Sequence, residues 1–99
     1  MTKLFNIYNE NYFIIEKLLK TINKKYLFLM MNDKFYYIRE EVVKRIEHKY
    51  LPKMINDKNY LVRIEIAKRI DKKYLPEMSN HKYNCYVITE IEKRLNENK

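Results

Sequence analysis

Met31 to Met54, MNDKFYYIREEVVKRIEHKYLPKM, and Ile55 to Met78, INDKNYLVRIEIAKRIDKKYLPEM, align without a gap at a register of 24 residues. A fixed period of this length is the sequence signature of stacked helical units, so it decides the fold before any single residue does. The same frame carried upstream gives Ile7 to Met30, IYNENYFIIEKLLKTINKKYLFLM, a degenerate copy that keeps Ile22, Lys25, Tyr26, Leu27 and Met30. Downstream, Ser79 to Lys99, SNHKYNCYVITEIEKRLNENK, fits when one residue is inserted before Val87, and it is truncated. The reading is one domain, 1–99, of four copies: 7–30, 31–54, 55–78 and 79–99.

Within a copy, Ile38, Val42 and Ile46 recur at i, i+4 and i+8, as do Val62, Ile66 and Ile70, and Ile14, Leu18 and Ile22. That spacing is the apolar stripe of an amphipathic helix, and a main helix of about twelve residues is expected in each copy. Asp33, Asp57 and Asn9 stand just ahead of the stripes, where a short side-chain acceptor serves the first free amides of a helix. The KYLPxM segment that follows places Leu51 and Met54, or Leu75 and Met78, three apart beside a proline. Proline does not belong deep inside a regular helix, so a short or 3₁₀ helix is expected there. Neither helix of one copy can bury its apolar face alone, and the copies must stack.

The bulk composition agrees. Glycine is absent, only Pro52 and Pro76 interrupt the chain, and 46% of residues are hydrophobic, which suits helices and works against hairpins. Cys85 is the only cysteine, leaving no internal disulfide and no cysteine metal site. The longest wholly apolar run, Tyr26 to Met31, is too short to span a bilayer, and Met1 to Glu10 lacks the layout of a signal peptide. A soluble, cytoplasmic protein with no membrane partner is expected. The net charge of +8 invites a nucleic acid or an acidic surface, although 16 lysines against 5 arginines, with 11 asparagines and 10 tyrosines, also read as the coding bias of an AT-rich genome.

The recurring pattern of Asp, five residues, Arg, then Val or Ile, Ala or Val and Arg, then Leu, two residues, Met, two residues, Asp, resembles the leucine-rich repeat variant, a relative of the HEAT-like repeats, over Ile7 to Leu95. The resemblance implies an all-α, short right-handed α-solenoid alternating main α-helices with short or 3₁₀ helices. It also implies a concave face used for proteins and sometimes for nucleic acid. The iron–sulfur domain carried by one member of that family has no counterpart here, since Cys85 stands alone.

Asp33 with Arg39 and Asp57 with Arg63 occur only in the interior copies, whereas copy one has Asn9 with Ile15 and copy four His81 with Ile88. Residues that appear and vanish together are expected to form a structural ladder of Asp–Arg contacts joining those copies, as in HEAT-like repeats, because a partly buried charge needs a partner. A basic series, Lys20, Lys44, Arg45, Lys68, Arg69, Lys93 and Arg94, falls on the main helices. Aligned across the array, it could meet several phosphates. Five of the seven also follow a glutamate at i−4 (Glu16, Glu40, Glu41, Glu65, Glu90), an arrangement that stabilises helices by about 0.2–0.5 kcal/mol per pair, and Lys68 and Lys93 do not. Tyr26, Tyr50 and Tyr74 share one repeat position, and Tyr12, Tyr36 and Tyr60 another, where core packing is expected.

His48 and His81 fall at unrelated positions with no carboxylates or thiols at ligand spacing, and no glycine-rich loop or nucleophile–base signature is present. No cofactor, metal or catalytic role is expected. The chain reads as a non-enzymatic, repeat-scaffold, protein-binding module, an adaptor or small inhibitor of a larger complex. Lys17, Glu41, Leu61, Glu65 and Lys68 are its expected contact residues on the outer arc. The alternative is sequence-independent DNA or RNA binding through the basic helical face, and self-association through the open ends ranks third. Phe28 and Leu29 make the first connecting segment unusually apolar, and a cap over it by Leu4 and Phe5 is expected.

Overall fold

The computed structural model describes residues 13–79 and 85–97, and among them every regular element is helical. Helix α1 runs to residue 21 and is described from residue 13. The first 3₁₀ segment, η1 (Lys24–Met30), follows, then α2 (Tyr36–Arg45), η2 (His48–Met54), α3 (Tyr60–Arg69), η3 (Lys72–Tyr74), α4 (Leu75–Met78) and α5 (Cys85–Leu95). Helix α2 packs against α3, α3 against α5, and η1 and η2 against α2 and α3.

Each main helix is ten residues long in the interior copies, shorter than the roughly twelve expected. The aspartates explain the difference. Asp33 Oδ1 accepts from Phe35 N at 3.0 Å and Asp57 Oδ1 from Asn59 N at 2.9 Å, so each forms a turn that leads into the helix from two residues before its cap. The cap itself is Phe35 in α2 and Asn59 in α3, where Asn59 accepts from Leu61 N. Asn9, the first-copy equivalent, lies outside the described residues.

Ile38, Val42 and Ile46 and Val62, Ile66 and Ile70 are buried, as are Leu27, Leu51 and Leu75 from the connecting segments. At about 1.5–3 kcal/mol for each such side chain, this is the main favourable term of the fold. The first stripe behaves differently: Ile14 and Leu18 are exposed, and Leu19 is buried in their place. Helix α3 packs against both α2 and α5, whereas α1 is joined to α2 through Arg45, which donates to Leu19 O and Ile22 O. Tyr26, Tyr36 and Tyr60 are likewise exposed rather than core, and Tyr50 and Tyr74 are half-buried. Tyr12 lies outside the described residues. No described helix is long and apolar enough to cross a membrane.

Candidate functional site

A chain without glycine has a difficulty at every helix end. The usual termination places a glycine in the left-handed region and so satisfies the last carbonyls. Among the described residues none has positive φ, and the chain instead leaves α2 and α3 in extended backbone at Ile46 and Ile70. The free carbonyls at those ends need donors from elsewhere.

Arginines of the next copy supply them. Arg69 donates through Nη1 to Val43 O and through Nη2 to Ile46 O at 2.9 Å. One copy earlier, Arg45 donates to Leu19 O and, at 2.9 Å, to Ile22 O. One copy later, Arg94 reaches Ala67 O at 2.9 Å and Ile70 O. The planar guanidinium spans two carbonyls that a lysine ammonium could meet only one at a time. These three side chains were expected to pair with the glutamate four residues back or to meet phosphate; their donors go instead to the preceding helix end. Burial pushes the Arg69 guanidinium below its ordinary pKa.

With the arginines occupied, the glutamates serve the lysines. Glu41 accepts from Lys44 at 3.1 Å and Glu65 from Lys68 at 3.2 Å, both three residues back rather than four, while Glu16 accepts from Lys20 at 3.1 Å. Lys68 therefore has a partner that the four-residue rule missed. Glu41, expected on the exposed outer arc, is buried beside its lysine, and Glu65 and Leu61 are half-buried. Lys17 is exposed, its ammonium 5.2 Å from the Phe13 ring, and Lys93 is exposed.

The face between α2 and α3 is thus a self-neutralised mixture of charges. Burial holds the Glu40 carboxyl above its ordinary range, Lys44 opposes this, Glu65 and Glu41 reinforce it, and Lys68 again opposes it. Burial pulls the Lys44 ammonium down, but its hydrogen bond to Glu41 and the charges of Glu41, Glu65 and Glu40 leave it raised overall.

Arg39 and Asp57 meet across the α2–α3 junction. Arg39 Nε donates to Asp57 Oδ2 at 2.7 Å and Nη2 to Oδ1 at 3.1 Å, with only 6% and 7% of the two side chains exposed. Arg39 Nη1 also donates to Asp33 O at 2.6 Å, and Arg63 Nη1 to Asp57 O. Each arginine therefore grips the backbone of its own copy, and Arg39 reaches the carboxylate of the next. The positions that would extend this contact outward are Ile15 on the first side and His81 on the other, and His81 lies outside the described residues.

The connecting segments carry a different kind of charge. Lys25 lies 5.1 Å from the Tyr26 ring, Lys49 5.2 Å from Tyr50, and Lys73 5.3 Å from Tyr74, all at one repeat position. Lys53 adds a second ammonium 5.9 Å from Tyr50. Lys24, Lys25, Lys49, Lys53 and Lys73 are exposed, and none takes part in the four ion pairs found among the described residues. Sequence reasoning missed them because it looked for cations on the main helices. The signal was present in the recurring Lys–Tyr dipeptide.

Beside α1, Ile15, Leu18, Leu19, Ile22, Met30 and Ile38 line an apolar groove of about 480 Å³. Phe28 and Leu29 are exposed nearby in sequence, and the expected covering residues Leu4 and Phe5 lie outside the described residues. Compared with protein-family profiles, curated proteins and solved structures, the chain matches none of them.

Proposed function

We propose that the chain is a short right-handed α-solenoid of four 24-residue units and serves as a non-enzymatic protein-binding module, an adaptor or small inhibitor, whose partner presents an acidic surface to the edge built from the 3₁₀ segments. Two features support the solenoid. Main helices alternate with 3₁₀ segments, and the arginine contacts recur from copy to copy at spacings of 23 and 26 residues, or 24 and 27 where one residue is inserted. Repeat scaffolds of this kind offer rigid, periodic surfaces.

One observation carries the choice of face and partner. Lys20, Lys44 and Lys68 on the main helices are neutralised by glutamates, whereas Lys25, Lys49 and Lys73 on the 3₁₀ segments are exposed beside tyrosines and in no ion pair among the described residues. Tyrosine gives contact area at low entropic cost, and unpaired cations give charge complementarity and a fast encounter. On the helical face that would suit nucleic acid, Lys20, Lys44 and Lys68 are each matched by a glutamate, and Arg45, Arg69 and Arg94 are engaged by helix-end carbonyls.

The test is capture of partners from nuclease-treated lysate of source cells by three immobilised proteins. These are the wild type, a Lys25→Glu/Lys49→Glu/Lys73→Glu variant and a Lys44→Gln/Lys68→Gln variant. The reading expects a discrete protein on the wild type and on the main-helix variant, and its loss from the edge variant. Capture that disappears with nuclease, or that survives the edge reversal, overturns it.

A further inference from the structure

The 3₁₀ edge is not uniform along its length. Between η2 and η3 lies a cleft of about 500 Å³, lined on its charged side by Lys49, Arg69, Lys73 and Arg94 together with His48. Among the described residues its single lining carboxylate is Asp71, whose Oδ1 accepts from Lys73 N at 3.1 Å. Four cations therefore share an open cleft with one carboxylate. The two arginines are already fixed by helix-end carbonyls, and a guanidinium has five donors, of which Arg69 uses two in this way. Their positive ends are held in place without any negative charge having been supplied. A cleft that gathers cations raises the local positive potential met by an incoming anion. Pro52, Ile70 and Tyr74 complete the lining, and the Lys73 ammonium lies 5.3 Å from the Tyr74 ring.

The repeat provides its own control. Phe28 occupies the position equivalent to Pro52, and its ring lies stacked on Tyr50, 5.6 Å between centroids and 11° from parallel. The place equivalent to the cleft, one copy earlier, therefore holds an aromatic stack. A nucleic-acid strand draws its affinity from serial phosphate contacts along a track, and here that track would run into the Phe28–Tyr50 stack. A short acidic segment needs one cleft only.

The geometry points to the cleft between η2 and η3 as the docking site for an acidic peptide segment of the partner, its carboxylates received by Lys49, Lys73, Arg69 and Arg94 and its aliphatic stems by Pro52 and Tyr74. This rests on the protein-binding reading and narrows it to one place on the edge. Recognition of acidic motifs by clustered arginines is a recurrent mode, and the volume lies within the range of formed ligand sites. The lowered pKa of Arg69 accords with a cation that burial has left without an anion.

Two variants separate the cleft from the rest of the edge. Pro52→Phe copies the Phe28 plug with no change of charge, at a repeat position where phenylalanine is already accommodated, and Lys73→Glu alters an exposed side chain. Both are checked by thermal melting. Wild type and variants are titrated with a fluorescein-labelled hexaglutamate peptide, inorganic phosphate and a single-stranded oligonucleotide at about 50 mM salt, where charge is weakly screened. The expected result is saturable binding of the peptide by the wild type, about tenfold or more weaker in either variant, with the oligonucleotide indifferent to Pro52→Phe.

Peptide binding that persists within twofold in Pro52→Phe overturns the site. So does an oligonucleotide bound more tightly than the peptide and lost with it, or phosphate alone competing as well as the peptide. If those outcomes occur while partner capture still depends on Lys25, Lys49 and Lys73, the cleft fails and the protein-binding reading stands.

Discussion

The α2–α3 junction and the α1–α2 junction share one fastener and differ in another. In both, an arginine of the later helix closes the open carbonyl end of the earlier one, Arg69 on Val43 and Ile46, Arg45 on Leu19 and Ile22. Of the two, only the α2–α3 junction adds a buried ion pair, Arg39 with Asp57, and only there are the apolar stripes of both helices buried. The arginine clamp answers a problem every helix end has in a chain without glycine. The Asp–Arg pair answers a problem of position, since a buried charge is tolerable only where the next copy can meet it.

The sharpest break in this comparison comes from two aspartates at one repeat position. Asp57→Ala leaves the Arg39 guanidinium buried without its carboxylate, and removing one partner of such a pair costs about 3–5 kcal/mol. In a small domain whose total stability is of the order of 5–15 kcal/mol, that brings the variant close to unfolding. Asp33→Ala removes only the lead-in turn to Phe35 and leaves the backbone carbonyl that Arg39 uses, so about 1 kcal/mol is expected. Urea melts of the two variants read the difference directly. Equal losses would show that the ion pair contributes no more than a turn.

The clamp should give a smaller and more local effect. Arg69→Met removes charged hydrogen bonds to two carbonyls and should cost about 1.5–3 kcal/mol, and Arg69→Lys should recover less than half of this because an ammonium lacks the fork. Arg94→Met breaks the same contact where the last helix docks. There the loss should appear as faster amide exchange confined to α5, with α2 and α3 retaining their protection. Exchange that accelerates equally in all three helices would mean that the clamp acts on the whole domain at once, and that interior and terminal junctions do not differ in the way described.

Much of this was legible in the sequence, and what was not has a common cause. The stripe Val62, Ile66 and Ile70 names its own burial, and the KYLPxM segment names a break from regular α-helix, because both depend on residues close in the chain. The charged residues were read less well for the opposite reason. Glu41 followed four later by Arg45 satisfies a local rule, yet Arg45 goes to carbonyls 23 and 26 residues away, and Glu41 turns to Lys44 and is buried. A local pairing rule is blind to unsatisfied carbonyls on a neighbouring helix. The clue was the absence of glycine, which states in advance that helix ends must find donors elsewhere. The cleft was illegible for the same reason, since His48, Lys73 and Arg94 come together only through the packing of elements distant in the chain.

The smallest expected effect probes the neutralised face of α2 and α3. Glu40 has its carboxyl pKa raised above the unfolded value, so the folded state binds this proton more readily than the unfolded chain does. Its ionised form is therefore penalised on folding at neutral pH, and the penalty fades as pH falls through the folded-state pKa. Glu40→Gln removes the charge and should raise the melting temperature slightly at neutral pH, by well under the roughly 4–8 °C that 1 kcal/mol represents in a domain of this size, because solvent screens a half-buried group. Acidification protonates the wild-type side chain and should close the gap between the two proteins. A gap that widens on acidification would mean that Lys44 and Lys68 outweigh burial and the neighbouring glutamates, and that the face between the helices depends on Glu40 being charged.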